Sequence, residues 1–161
     1  MREILLTQGK VALVDAEDFE WLNQWKWLAH KHRNTWYVER RGTKENGKRM
    51  TIKMHRQILN LKHDDKKQGD HKDRNGLNNT RSNLRICTPQ KNSMNRGKYL
   101  TCHTSKFKGI SWHKKIMKWQ SEITFAGKKY CLGYFKNEID AAKTYDSKAK
   151  ELFGEFVYTN F

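Results

Sequence analysis

The sequence predicts an α+β protein built from short antiparallel strands and a few helices. Three observations carry this. Short apolar or alternating runs flank the turn pairs Gln8-Gly9, Asn46-Gly47, Asn75-Gly76 and Ala126-Gly127, the pattern of hairpins and tight connections. Thr88-Pro89 sets an N-cap hydroxyl before a proline at the first helical position, where its missing N–H costs nothing. Ile139, Ala142, Tyr145, Ala149 and Leu152 recur at helical spacing after a capping Asn137, with alanines small enough to approach a sheet closely.

Taken in order, Ile4–Leu6 and Val11–Val14 flank Gln8-Gly9 as a hairpin. Asp15 is placed to cap a helix, with Glu17 and Asp18 favouring its positive end. Phe19, Leu22, Trp25 and Leu28 or Ala29 continue at helical spacing. Trp21, Trp25, Trp27 and Trp36 crowd this region and read as core more readily than as base-stacking groups. Trp36–Arg41 and Met50–Met54 form a second hairpin around Asn46-Gly47. Arg40, Arg41, Lys44, Lys48 and Arg49 near its tip are a phosphate-riding surface or a solvated face. His55 opens a short segment to Leu61. The charged connector Lys62–Gln68 follows, with His63, Asp64 and Asp65 facing solvent. Segment 97–105 has no periodicity and reads as a linker. Beyond it, Phe107–Trp112, Lys118–Phe125 and Lys128–Phe135 are three short strands, and the helix capped by Asn137 runs to about Leu152.

The chain has 161 residues, enough for one domain or two small ones, and 36% hydrophobic and 12% aromatic residues can build a core. Its net charge is +16, and basic residues outnumber acidic ones in every third of the chain. A basic surface of that extent points to a long polyanion rather than one acidic pocket. No apolar run reaches transmembrane length and no basic amphipathic helix stands out, so nucleic acid is favoured over a membrane. Cys87, Cys102 and Cys131 are odd in number and lack Cys-x-x-Cys spacing, which argues against a zinc knuckle and for reduced thiols. The N-terminus shows no signal-peptide pattern, and a cytoplasmic location is expected (that of a host cell if the protein is phage-encoded).

The chemistry concentrates between Asp70 and Asn95. Gly69-Asp70-His71 reads as the end of a strand, Leu84–Cys87 as a second strand, and Asn92 lies one turn into the helix after Pro89, with Asn95 and Arg96 on the same side. This order brings Asp70, His71 and Asn92 together. A carboxylate and an amide oxygen suit magnesium, and a neutral histidine can take a proton from water. Asp-His alone is also what a surface acid beside a turn histidine looks like.

The whole stretch is more specific. His55-Arg56, Asp70-His71, Asn75-Gly76, Asn78-Asn79, Asn83-Leu84-Arg85, Thr88 and Asn92 resemble the HNH endonuclease family, in its phage and intron-borne homing branch. The resemblance implies a ββα-metal (His-Me finger) region, with His71 as general base and Asp70 and Asn92 as metal ligands. It implies Asn83 as the residue that pins the loop, and His55 as a supporting residue. It also implies Mg2+, with Mn2+ as a substitute. Asn92 stands where the family's name has its final histidine.

The last third resembles the Apetala-type (ethylene-responsive-factor) DNA-binding domain. The resemblance rests on Ser105–Ile110, Lys118-Trp119, Glu122-Ile123, Leu132-Gly133, Phe135, Ala141-Ala142, Tyr145-Asp146, Gly154 and Asn160-Phe161. It implies a three-stranded antiparallel sheet packed on one helix. Lys108, Glu122, Lys129 and Tyr145 fall on the family's DNA-contact positions. Ser111, His113, Thr124 and Cys131 stand where plant members carry arginine or tryptophan, so the plant target sequence is not expected. Arg96, Ser111 and His113 join the expected DNA-binding set.

The expectation is therefore a nuclease domain over 1–96, a linker over 97–105 and a DNA-binding domain over 106–161. The function expected is site-preferring, magnesium-dependent hydrolysis of double-stranded DNA by one metal and a histidine base, without a small-molecule cofactor; one active site per chain suits a nicking monomer, and a dimer would cut both strands. The alternative is a non-catalytic DNA-binding regulator.

Overall fold

A computed structural model describes residues 1–32, 35–45, 48–98 and 104–161, which form two compact units, Met1–Asn92 and Ser93–Phe161. The expected turn pair Asn46-Gly47, most of the expected linker and Cys102 lie outside the described residues.

In the first unit, β1 (Arg2–Leu5) and β2 (Val11–Val14) pair antiparallel across a 3-10 turn at Thr7–Gly9. Helix α1 (Ala16–Asn23) follows, and Asp15 stands at its N-cap without a side-chain cap bond. The Asp15 carboxylate is engaged elsewhere, accepting from the Arg81 backbone N–H at 2.7 Å. The helix stops at Asn23, short of the expected pattern, because Trp25, Trp27 and the following residues turn back onto the core. Trp27 is fully buried and its indole N–H donates to the Leu22 carbonyl at 2.9 Å, satisfying the polar end of the ring. Leu28–His32 is a strand, β3, that the sequence pattern did not separate from the helix.

Strands β3, β4 (Thr35–Glu45) and β5 (Lys48–Lys53) form a sheet in that order, with Ala29 opposite Val38 and Arg41 opposite Thr51. One face buries Ala29 and Val38 in the unit's core with Ile4, Val14, Leu22 and Trp27. Helix α2 (Met54–Ile58) buries Met54, His55 and Ile58. Two short antiparallel strands, β6 (Gln68–His71) and β7 (Leu84–Cys87), come next, followed by α3 (Pro89–Met94). Thr88 caps α3, accepting from the Lys91 N–H at 3.2 Å. The helix ends at Met94, so Asn95 and Arg96 lie beyond it and do not share the face of Asn92 as expected.

The second unit orders its sheet β10–β9–β8, from β8 (Ile110–His113), β9 (Lys118–Phe125) and β10 (Lys128–Phe135), with α4 (Glu138–Phe153) packed on one face. Asn137 caps α4 by accepting from the Ile139 N–H at 2.8 Å. The apolar stripe is rotated from the expected one. Ile139 is exposed, and Ala141 and Phe153 join Ala142, Tyr145 and Ala149 in the core. The C-terminal segment is tied down by Asp146, whose carboxylate accepts from the backbone N–H groups of Asn160 and Phe161. The architecture is α+β, with small antiparallel sheets and few helices.

Candidate active site

The register of β6 and β7 divides the expected site residues between two faces. Gln68 pairs with Cys87 and Asp70 with Arg85, while Gly69 pairs with Ile86 and His71 with Leu84. Successive residues of a strand point to opposite sides, so Asp70 and His71 do not project together.

On the first face, Arg85 donates from Nε and from Nη2 to Asp70 Oδ2, each at 2.8 Å; Asp70 is buried and Arg85 partly buried. Asn92 reaches the same face from α3, its Nδ2 donating to Gln68 Oε1 at 2.7 Å. With its NH2 group turned to Gln68, the amide keeps Oδ1 as its acceptor atom. Cys87 shares this face, and burial, with Asp70's negative charge, pushes its thiol up to about 11. A neutral thiol is a poor ligand, so the donor set is a carboxylate and an amide oxygen, which fits a hard divalent cation that keeps several waters. The described residues contain no cluster of three or more His, Cys, Asp or Glu that could hold a metal.

On the second face, the His71 ring lies in an aromatic and amide cage and the residue is 5% exposed. His55 meets it edge-on at a centroid distance of 4.9 Å, and Tyr37 stands 5.9 Å from both rings. His55 comes this close because residue 69 is glycine; a Cβ there would stand 2.7 Å from His55 Cδ2. His71 Nε2 lies 3.3 Å from Asn79 Oδ1. Burial lowers the His71 pKa, opposed by the Asn79 hydrogen bond and by the charges of Asp73 and Asp70. The His55 pKa is lowered further, by burial first and then by the neighbouring His71, Lys53 and Arg56. Both imidazoles are thus held neutral at pH 7.

The loop from Lys72 to Asn83 is a web of amide bonds. Asn83 accepts from the Asp73 N–H at 3.0 Å and donates to Asp73 Oδ1 at 2.9 Å and to the Asn78 carbonyl at 2.8 Å. Asp73 also accepts from the Asn75 N–H and from Asn78 Nδ2, both at 2.8 Å. Leu13 anchors the loop on β2, donating to the Leu77 carbonyl and accepting from the Asn79 N–H. Gly76 fits beneath β4, where a Cβ would stand 2.2 Å from the Trp36 carbonyl. Its turn-forming role is taken by Arg74, at φ 65°. Sequence reasoning gave Asp73 and Asn79 no role; the signal available was an Asx-rich run whose side chains bond local backbone.

In the second unit, Ser121 and Ile123 are buried toward α4, so Lys118, Gln120, Glu122 and Thr124 take the outer face of β9. Ser111, His113, Lys129 and Cys131 pair directly with these and share the face. Of the expected DNA-binding residues, Ser111, His113, Glu122 and Lys129 are therefore brought together. Lys108 is not among them. Its ammonium donates to the Met94 and Arg96 carbonyls, each at 2.7 Å, and lies over the Tyr158 ring. Arg96 is exposed, and Tyr145, at 3% exposure, is core.

No family model matches this chain. The chain is 41% identical over 61 residues to protein 3.8 of Escherichia phage T7, covering 38% of the chain and 50% of that protein. It is 40% identical over 60 residues to APETALA2-like protein 2 of Oryza sativa subsp. indica, covering 36% of the chain and 14% of that protein. Over nearly its whole length, 97% of the chain and 79% of the relative, it is 32% identical to an uncharacterized HNH endonuclease of Acanthamoeba polyphaga mimivirus. A match of that identity and coverage shows the family: the protein is a nuclease and belongs to the HNH endonuclease family.

Proposed function

We propose that the protein is a magnesium-dependent endonuclease of the homing or phage-mobile type that hydrolyses double-stranded DNA at preferred sites. In this reading β6, the loop, β7 and α3 act as a ββα-metal site over a domain reaching to about residue 96. The three-stranded sheet with α4 acts as an Apetala-type DNA-binding domain over 106–161. The observation that carries it is the pairing of two hard oxygen donors, Asp70 and Asn92, on one face of β6–β7 with a buried neutral histidine at the strand end.

The Asp70 carboxylate and Asn92 Oδ1 would hold one Mg2+ or Mn2+, which would supply positive charge to the scissile phosphate and the leaving 3′ oxygen. Arg85 holds the Asp70 carboxylate in place through Oδ2. Asn83 keeps the loop closed over Asp73, and with it the backbone that follows His71. His71, neutral through burial, takes a proton from the attacking water. Ser111, His113, Glu122, Lys129 and Arg96 contribute DNA contacts, and the net charge of +16 supports a polyanionic substrate.

Relaxation of supercoiled plasmid with and without Mg2+, for the wild type and His71→Ala, tests this reading. Mg2+-dependent nicking lost in His71→Ala is expected. Binding without cutting in any divalent cation would instead identify a non-catalytic DNA-binding regulator.

A further inference from the structure

We propose that the outer face of the β3–β4–β5 sheet is a DNA-backbone surface of the first unit, with Lys53, Arg41 and Arg49 as its phosphate contacts. This rests on the reading of the protein as a DNA endonuclease. Register divides the charged residues of the sheet between two faces. Ala29 and Val38 pair and point into the core. Tyr37, Glu39 and Arg41 of β4 therefore point outward, with His30 and His32 of β3 and Thr51 and Lys53 of β5 beside them. Arg49 precedes Thr51 by one alternation and falls on the same face. Arg40 falls on the opposite face and is already engaged. Its guanidinium lies 4.2 Å from the centroid of the Trp25 ring, and its Nε donates to Gln57 Oε1 at 3.2 Å. The neighbouring arginines 40 and 41 thus do different work, which the basic run alone does not separate.

One end of this outer face carries the candidate active site. Thr35 Oγ1 donates to the Arg74 carbonyl at 3.3 Å and accepts from the Gly76 N–H at 3.5 Å, which seats the loop on the start of β4. The Tyr37 ring stands 5.9 Å from the rings of His55 and His71, and Lys53 Nζ lies 5.5 Å from the Tyr37 ring centroid. Lys53 therefore begins a row of cations beside the site. Arg41, opposite Thr51, and then Arg49 continue it away from the site along the sheet. A strand rises about 3.3 Å per residue, so the row from Lys53 to Arg49 covers about 13 Å. That is the axial length of about four base pairs of duplex. All three side chains are exposed. Glu39, a carboxylate on the same face, has its Oε1 3.0 Å from His30 Nδ1. A row of exposed cations leading from the site matches the repeated charges of a DNA strand better than it matches one small anion. Phosphate contacts fix position and carry no sequence information, so this face holds the strand at the site without choosing it.

The test is a salt titration of duplex DNA binding by the full chain in chelator, so that no strand is cut. Arg41→Gln combined with Lys53→Gln should flatten the dependence of log K on log salt by about 1.8, two phosphates at about 0.9 each. Arg49→Gln alone should flatten it by about 0.9, independently of the first pair. Lys10→Gln combined with Lys31→Gln removes the same charge beside Trp36 on the opposite face and should keep the wild-type slope. The affinity lost by the outer-face variants should be uniform across duplexes of unrelated sequence. Equal flattening in the two double variants overturns the proposal, because the effect then follows total charge and not the face. A wild-type slope in both Arg49→Gln and the Arg41–Lys53 variant also overturns it, and a loss confined to particular sequences overturns the assignment to phosphates. If the wild type itself binds duplex DNA without salt dependence, the endonuclease reading fails and this surface falls with it. If the wild type binds with a steep slope and cuts in Mg2+ while the outer-face variants keep that slope, only this surface fails.

Discussion

Removing the charge of Arg85 while keeping its length, as in Arg85→Met, strands the Asp70 carboxylate in the interior. The side chains of Asp70 and Arg85 are 6% and 10% exposed, and the guanidinium Nε and Nη2 each stand 2.8 Å from Asp70 Oδ2. Breaking a buried pair by deleting one partner costs about 3–5 kcal/mol, because the remaining charge stays desolvated after losing the opposite charge that offset it. The edge position of Arg85 points to the lower end, about 3 kcal/mol. For a unit of this size that lowers the thermal midpoint by roughly 12 °C or more. Replacing both partners, Asp70→Leu with Arg85→Met, removes the stranded charge and should recover most of the loss. Scanning calorimetry of the wild type, the two single variants and the double variant measures the coupling. Mg2+ should also raise the midpoint of Arg85→Met more than that of the wild type, since a cation neutralises the bared carboxylate. A shift under about 2 °C in Arg85→Met, or a double variant as unstable as the sum of the singles, would refute the argument.

Four further outcomes are expected. His71→Ala should lower the single-turnover cutting rate by at least about 100-fold with DNA affinity nearly unchanged, and a filter-binding titration beside the rate checks both halves. The unfolded-state histidines bind protons below about pH 6.5 whereas buried His55 and His71, with lowered pKa values, do not; stability is therefore full above that pH and falls as the solution is acidified. Midpoints measured from about pH 8 to pH 5 should show this, with a weaker dependence in His55→Phe. Lys129→Ala, on the outer sheet face, should weaken DNA binding and reduce the salt slope by about 0.9 without changing the midpoint. Lys108→Ala should instead destabilise the second unit, because its ammonium serves two backbone carbonyls.

Much of this molecule was legible because local chemistry and tertiary structure agree. Thr88-Pro89 and Asn137 start their helices through the cap bonds their side chains predict, and strands β9 and β10 occupy the residues their alternation marks. The reading failed where a side chain answers to a distant partner. Asp15 looks like a helix cap and instead binds the backbone of Arg81, 66 residues away. Trp25 and Leu28 continue the spacing of α1, yet burying Trp27 against Leu22 takes the chain out of the helix and into β3. Lys108 is charged and lies in a basic segment, but unsatisfied carbonyls at the end of α3 draw it inward. At the site, the residue types of Asp70, His71, Asn83 and Asn92 were readable from chemistry and order. Their division between two faces of a strand pair depends on register, and the Asn79 contact depends on a loop fold held by Leu13 and Gly76.

The central claim is that this arrangement cuts DNA through a divalent cation at Asp70 and Asn92 and a base at His71. It is tested most directly by the plasmid relaxation assay with titrated Mg2+, run on the wild type, His71→Ala and Asn92→Ala. The account predicts nicking that requires Mg2+, is lost in His71→Ala, and in Asn92→Ala is partly recovered at higher Mg2+ or with Mn2+. Undiminished cutting by the wild type in excess chelator, or by His71→Ala in Mg2+, would contradict it.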